Sequence, residues 1–133
     1  MSRDIVFDAS GLIAYFEKSP RAMRVVILLK EVREGKRRAF MSVVNWGEVY
    51  YVLVRKAGRD AAERALAFLD QLPVIVADAD RPLARQAAEF KAARKLSYAD
   101  SFAAALAVRR NAALVAADRE FDRVRNQVEV IRV

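Results

Sequence analysis

The 133-residue chain reads as an α/β protein of three layers, with a five-stranded, mostly parallel sheet between two layers of helices. Three observations predict this. Short apolar stretches, Ile5–Phe7, Ala39–Met41, Val74–Val76 and Ala113–Ala116, with Val128 to Ile131 interrupted by Glu129, are too short for buried helices and suit strands covered on both faces. The segments between them place apolar residues at helical spacing, and strand–helix alternation implies crossovers between parallel neighbours. No repeat, low-complexity tract or Pro/Gly/Ser-rich linker breaks the pattern, so residues 1–133 are read as one domain.

Ile5-Val6-Phe7 is the first strand, and Asp8-Ala9-Ser10-Gly11 leads from it into a helix through Leu12 and Phe16. Ser19 and Pro20 are read as the N-cap and first residue of the next helix. Its apolar period is taken from Met23, Val26, Ile27 and Val32, and Gly35 ends it. After the basic turn Lys36-Arg37-Arg38, Ala39-Phe40-Met41 is the second strand. Ser42 opens a long apolar segment to Val54, whose β-branched residues suggest a strand but whose length favours a buried helix, ended by Gly58. Arg59 to Asp70 alternates charges with Ala, Leu and Phe at helical spacing, and Val74-Ile75-Val76 is the third strand.

Asp80-Arg81-Pro82 opens a helix that runs to about Lys95. Ser97-Tyr98-Ala99-Asp100 starts another, through Phe102, Ala105, Leu106 and Val108, and Asn111 ends it. Ala113 to Ala116 is the fourth strand, Asp118 to Val124 a short helix or turn, and Val128 to Ile131 the last strand.

Composition narrows the chemistry. The chain has no cysteine and no histidine, which excludes disulfides, thiolate nucleophiles, Ser-His-Asp triads and histidine-ligated metals. Catalysis is left to carboxylates, hydroxyls, Lys and Arg, with hard, oxygen-ligated cations such as Mg²⁺ or Mn²⁺ as available metals. The net charge of +7 attracts polyanions, nucleic acid among them, although a charge surplus also serves solubility. No apolar run approaches a membrane span, and the run after Asp4 is too short for a signal peptide, so a cytoplasmic location is expected.

Most acids, among them Glu31, Glu34, Glu63, Asp70 and Glu89, lie on polar helix faces as surface charges. Asp8, Glu48, Asp100 and Asp118 lie instead against apolar sequence. Asp8 and Asp118 follow strands and can cap the next helix, and Asp100 stands three residues after Ser97 as in a capping box. Glu48 is more than a turn inside its helix, where capping cannot explain it. Either Arg55 pairs with it two turns on, or it faces a polar cavity shared with the other three acids. Parallel strands end on one sheet edge, so convergence of the four acids is geometrically reasonable, and a divalent cation would relieve their repulsion.

The segments Asp8-Ala9-Ser10, Asn45-Trp46-Gly47-Glu48, Ser97 to Ala107 and Leu114 to Phe121 follow one another in order and, taken together, resemble the PIN-domain nucleases, in particular the VapC ribonuclease toxins. The resemblance covers nearly the whole chain and implies a PIN-like five-stranded sheet with an acidic Mg²⁺/Mn²⁺ pocket. It assigns Asp8, Glu48, Asp100 and Asp118 as the catalytic, metal-binding acids, with Ser10 assisting near the first. Glu120 and Asp122 are auxiliary acids or plain surface charges. The family often carries Thr shortly before its last acid; this chain has none and places Ala116-Ala117 there, which leaves a supporting hydrogen bond to Asp118 open.

The implied function is an Mg²⁺- or Mn²⁺-dependent endoribonuclease, the toxin of a toxin–antitoxin pair, hydrolysing RNA with metal-activated water. A small antitoxin, presenting Arg or Lys to the acids, and a homodimer are implied as well. Two other readings stand beside it: a non-catalytic basic nucleic-acid-binding module, and a receiver-like Mg²⁺-binding signalling domain with Asp78 after the third strand. A haloacid-dehalogenase-type phosphatase would need an Asp where Ser10 stands.

Overall fold

The computed structural model describes residues 3–133. In chain order it forms β1 (Ile5–Phe7), α1 (Ala9–Phe16), α2 (Ala22–Arg33), β2 (Ala39–Ser42), α3 (Val43–Ala57) and α4 (Arg59–Leu69). These are followed by β3 (Val74–Ala77), α5 (Arg81–Ala93), α6 (Tyr98–Arg110), β4 (Ala113–Ala116), a 3₁₀ helix (Arg119–Val124) and β5 (Val130–Arg132). All strand pairs are parallel, in the order β3-β2-β1-β4-β5.

The strands divide their side chains between two cores. Ile5, Phe7, Ala39, Met41, Ala113 and Val115 face a core completed by α1 to α4. Val6, Phe40, Leu114 and Ala116, their alternate neighbours, face a second core completed by α5, α6 and the 3₁₀ helix. Alternation in a strand sends neighbours to opposite faces, and burial of both faces explains the unbroken apolar runs. The chain moves outward from β1 through β2 to β3, then returns to the other side of β1 as β4. Reversal of direction with one crossover hand puts the later helices on the opposite face.

Caps set most boundaries as the sequence indicates. Ser42 Oγ accepts from Val44 N–H at the start of α3, Asp80 Oδ1 from Leu83 N–H at α5, and Ser97 Oγ from Asp100 N–H at α6. Asn111 closes α6 in the left-handed conformation at φ 50°. Two expectations are corrected. Ser19-Pro20-Arg21 forms a turn, in which Ser19 Oγ accepts from Arg21 N–H, and α2 begins only at Ala22. The last strand starts at Val130 because Val128 N–H bonds back to Val124 and Val128 itself packs into the second core.

The face of α2 is also corrected. Val25, Leu28 and Leu29 are buried, whereas Met23, Val26 and Ile27 are exposed, Met23 by 66%. Val25 to Leu29 is a continuous apolar run, so its periodicity admits two faces and only tertiary packing selects one. Among the described residues no helix is long and apolar enough to cross a membrane.

Phe121 fixes the 3₁₀ helix to the sheet: it is fully buried in the second core between Asp118 and Val124. Truncating a buried Phe costs about 3–5 kcal/mol. Phe121→Ala is therefore expected to lower unfolding free energy by that amount in urea titration, and a change below about 1 kcal/mol would contradict this anchoring.

Candidate metal centre

In a parallel sheet the carboxyl ends of strands lie on one edge, and ligands collect where the strand order reverses. Here the reversal lies between β1 and β4, whose next residues include Asp8 and Asp118. Asp8 is almost fully buried, with Oδ1 accepting from Gly11 N–H at 3.0 Å as the N-cap of α1. Its Oδ2 accepts from the Ser10 hydroxyl at 2.6 Å. Ser10 Oγ in turn accepts from Ala117 N–H at 3.0 Å, so one hydroxyl ties the end of β1 to the chain after β4.

Asp118 caps the 3₁₀ helix by accepting from Glu120 N–H at 2.9 Å. Asp100 is buried in the first turn of α6, a helix sunk into the second core by its run of Ala103, Ala104 and Ala105. Carboxylate oxygens of Asp100, Asp118 and Glu120 lie within 4.8 Å of one another.

Glu48 projects from α3 half-buried, and Asn45 Nδ2, one turn earlier, donates to its Oε1 at 3.3 Å. The same Nδ2 donates to Ala99 O at 3.0 Å, fastening α3 to the start of α6. Arg55 does not pair with Glu48; its guanidinium lies 5.3 Å over the Tyr51 ring. Asn45 is fully buried and its role was not evident from residue type, since a polar residue near a helix start reads first as surface.

The charges push on one another as this geometry requires. Burial raises the Asp8 carboxyl to about 7, against the Ser10 and Gly11 hydrogen bonds and assisted by the charge of Glu48. Burial, the adjoining Glu120 carboxyl and the charges of Asp8 and Glu48 raise Asp100 to about 8. Glu48 is raised by burial and by Asp118, against the Asn45 hydrogen bond. Two like charges at 4.8 Å repel by about 3 kcal/mol at an effective dielectric of about 20. None of Asp8, Glu48, Asp100, Asp118 or Glu120 forms an ion pair among the described residues.

Thus Asp100, Asp118 and Glu120 converge, with Glu120 closer in than its sequence position suggests, and Asp8 and Glu48 lie near enough for their charges to act on this group. Asp122 does not. It is exposed, bonded to Arg125 at 2.9 Å and Arg132 at 2.6 Å, and these guanidiniums hold its carboxyl below the usual range. Asp78 follows the edge strand β3, separated from β1 by β2, so the receiver-like arrangement is not formed. The donor set is oxygen-only, crowded and short of cations, which fits Mg²⁺ or Mn²⁺ and does not fit a soft metal.

A family model described as PIN domain matches residues 5–127. No curated protein matches the chain in sequence. Among solved structures, Mycobacterium tuberculosis VapC20, described as a sarcin–ricin loop cleaving toxin, is similar with a TM-score of 0.74 and 21% identity, over 98% of this chain and 100% of that one. VapBC2 from Rickettsia felis, bound to a promoter DNA fragment, is similar with a TM-score of 0.74 and 15% identity, over 96% and 97% of the two chains. FitAcB from Neisseria gonorrhoeae gives 0.65 and 16%, over 96% of each chain. At these identities the likeness is one of fold.

Asp8 and Asp100 titrate at about 7 and about 8 in the folded chain, above the usual aspartate value of 3.8. The folded chain holds their extra protons, so the stability they confer is complete below about pH 4 and is lost as pH rises through 7 to 8. In EDTA, Asp8→Asn is expected to gain melting temperature relative to the parent between pH 5 and pH 8, since Asn preserves the cap without the charge. Millimolar Mg²⁺ is expected to raise the parent's melting temperature at pH 8 more than at pH 5. Parallel pH profiles for parent and variant would contradict the charge crowding.

Proposed function

The chain belongs to the PIN domain family, and from that membership we propose that it is a divalent-cation-dependent endoribonuclease of the VapC type, the toxin of a toxin–antitoxin pair. The observation that carries this reading is the cluster of Asp100, Asp118 and Glu120 at the sheet's reversal point, with Asp8 and Glu48 close enough to act on it, none of which forms an ion pair among the described residues. The likeness to VapC20, described as cleaving the sarcin–ricin loop, supports RNA as the substrate class.

In this reading Asp8, Asp100, Asp118 and Glu120 would hold Mg²⁺ or Mn²⁺, with Glu48 completing the pocket. A cation bound there supplies charge neutralisation, an anchor for a phosphate oxygen and a lower pKa for water. Glu48, steadied by Asn45 and raised in pKa, orients the attacking water and takes its proton at a carboxylate oxygen. Ser10 keeps Asp8 in register with the Asp118 segment. The water oxygen bonds to phosphorus in line with departure of the 3′-oxygen, which takes a proton from solvent, leaving 5′-phosphate and 3′-hydroxyl ends. Attack by a ribose 2′-hydroxyl would leave a cyclic phosphate instead, and the chain lacks the histidines such chemistry commonly uses.

A partner surface accompanies the site. Tyr15, Phe16, Met23, Val26 and Phe68 line a groove of about 670 Å³ between α1, α2 and α4. Its apolar character suits the apolar face of a helix, consistent with an antitoxin that covers it and extends a basic residue to the acids. The likeness to VapBC and FitAcB proteins supports a partnered toxin.

The test is cleavage of defined RNAs in Mg²⁺ or Mn²⁺, beside EDTA and a Glu48→Gln control, with the product ends mapped. Cleavage with 5′-phosphate ends is expected, abolished by EDTA and reduced at least about 100-fold by Glu48→Gln. EDTA-insensitive RNA binding without cleavage would support the non-catalytic module, and parent-like cleavage by folded Glu48→Gln would remove Glu48 from the site.

A further inference from the structure

A groove of about 550 Å³ opens directly from the acid cluster and runs along α1 and α3. Ser10 and Asp118 form its acid end, shared with the metal centre. Away from that end its wall carries three cations: Arg21 in the turn before α2, Lys56 in the last turn of α3, and Arg119 at the start of the 3₁₀ helix. Arg21 and Arg119 are exposed and their side chains form no ion pair among the described residues. Lys56 is held by Glu17 at 3.0 Å, an exposed pair whose exchange for a phosphate costs little. Between the cations the lining includes Ile13 and Val52, which offer apolar surface to sugars and bases.

We propose that this groove is the track for single-stranded RNA on one side of the cleaved bond, with Arg21, Lys56 and Arg119 each holding a backbone phosphate. A strand with one phosphate at the acids must seat its neighbours nearby, and this groove offers cations contiguous with Asp118. Phosphate contacts position the strand without reading its sequence. Glu17 works against the track twice, as a negative charge in the groove and as the group that occupies Lys56. The identity of the polyanion as RNA rests on the ribonuclease reading, whereas the groove's cations stand on geometry alone.

The test uses the full chain in EDTA, with anisotropy of a labelled single-stranded RNA oligonucleotide measured across KCl concentrations. Each lost phosphate contact lowers the slope of log affinity against log salt by about 0.7 for a single strand. The triple variant Arg21→Gln, Lys56→Gln, Arg119→Gln is expected to lose about 2 in slope and to bind at least about tenfold more weakly. A charge-matched control on α5, Arg81→Gln, Arg85→Gln, Lys91→Gln, is expected to change slope by less than half as much. Glu17→Gln is expected to tighten binding about two- to threefold. All the substituted side chains are exposed, and parent-like melting temperatures verify folding. Equal effects of triple and control variants, or looser binding by Glu17→Gln, would overturn the track. Parent-like binding by the triple variant together with RNA cleavage by the parent overturns the track and leaves the ribonuclease reading. Loss of binding by the triple variant, with no cleavage by the parent, leaves the track and overturns the ribonuclease reading.

Discussion

The structure's chemistry turns on a cluster of negative charge whose carboxylates form no ion pair among the described residues. Asp100, Asp118 and Glu120 converge within 4.8 Å, with Asp8 and Glu48 close enough to raise the neighbouring carboxyls. The fold relieves part of this itself. Asp8 and Asp118 cap the helices that follow them, and Asp100 lies in the first turn of α6. Helix N-termini point unpaired N–H groups and the positive end of the dipole at these acids. The remaining charge needs protons or a cation, and burial drives the groups toward protons when no cation is bound.

This explains why capping and metal binding could not be separated residue by residue. A cap needs an oxygen acceptor at a strand-to-helix junction on the carboxyl edge of the sheet, and so does a cation bound at a reversal point. Asp8 satisfies Gly11 N–H with one oxygen and is held by Ser10 through the other. The local rule and the site therefore agree, and neither is evidence against the other. Glu48 carried more information because no local rule accounts for an acid beyond the first turn of an apolar helix.

The five-stranded parallel sheet between helices was legible because short apolar runs alternate with helical segments in a consistent grammar. The outward face of α2 was not, since Val25 to Leu29 is apolar on every side and periodicity cannot choose between Met23 and Leu29. Asn45 was not either. Its value lies in a contact to Ala99, 54 residues away, and such a contact leaves no trace in local spacing. The ladder's end at β5 was misplaced for a similar reason, because Val128 is apolar for packing against Val124 rather than for pairing with β4.

Glu120 and Asp122 show how a short helix sorts charges that sequence leaves equivalent. A 3₁₀ helix turns about 120° per residue, so positions two apart point about 120° away from each other. Phe121 must enter the second core, and Asp118 receives Glu120 N–H, which together fix the rotation of the segment. With that rotation set, Glu120 faces Asp100 and Asp118, while Asp122 turns to Arg125 and Arg132. One acid joins a cluster deficient in positive charge and the other is neutralised at the surface. The buried phenyl ring between them is thus as much a determinant of the candidate site as the carboxylates are.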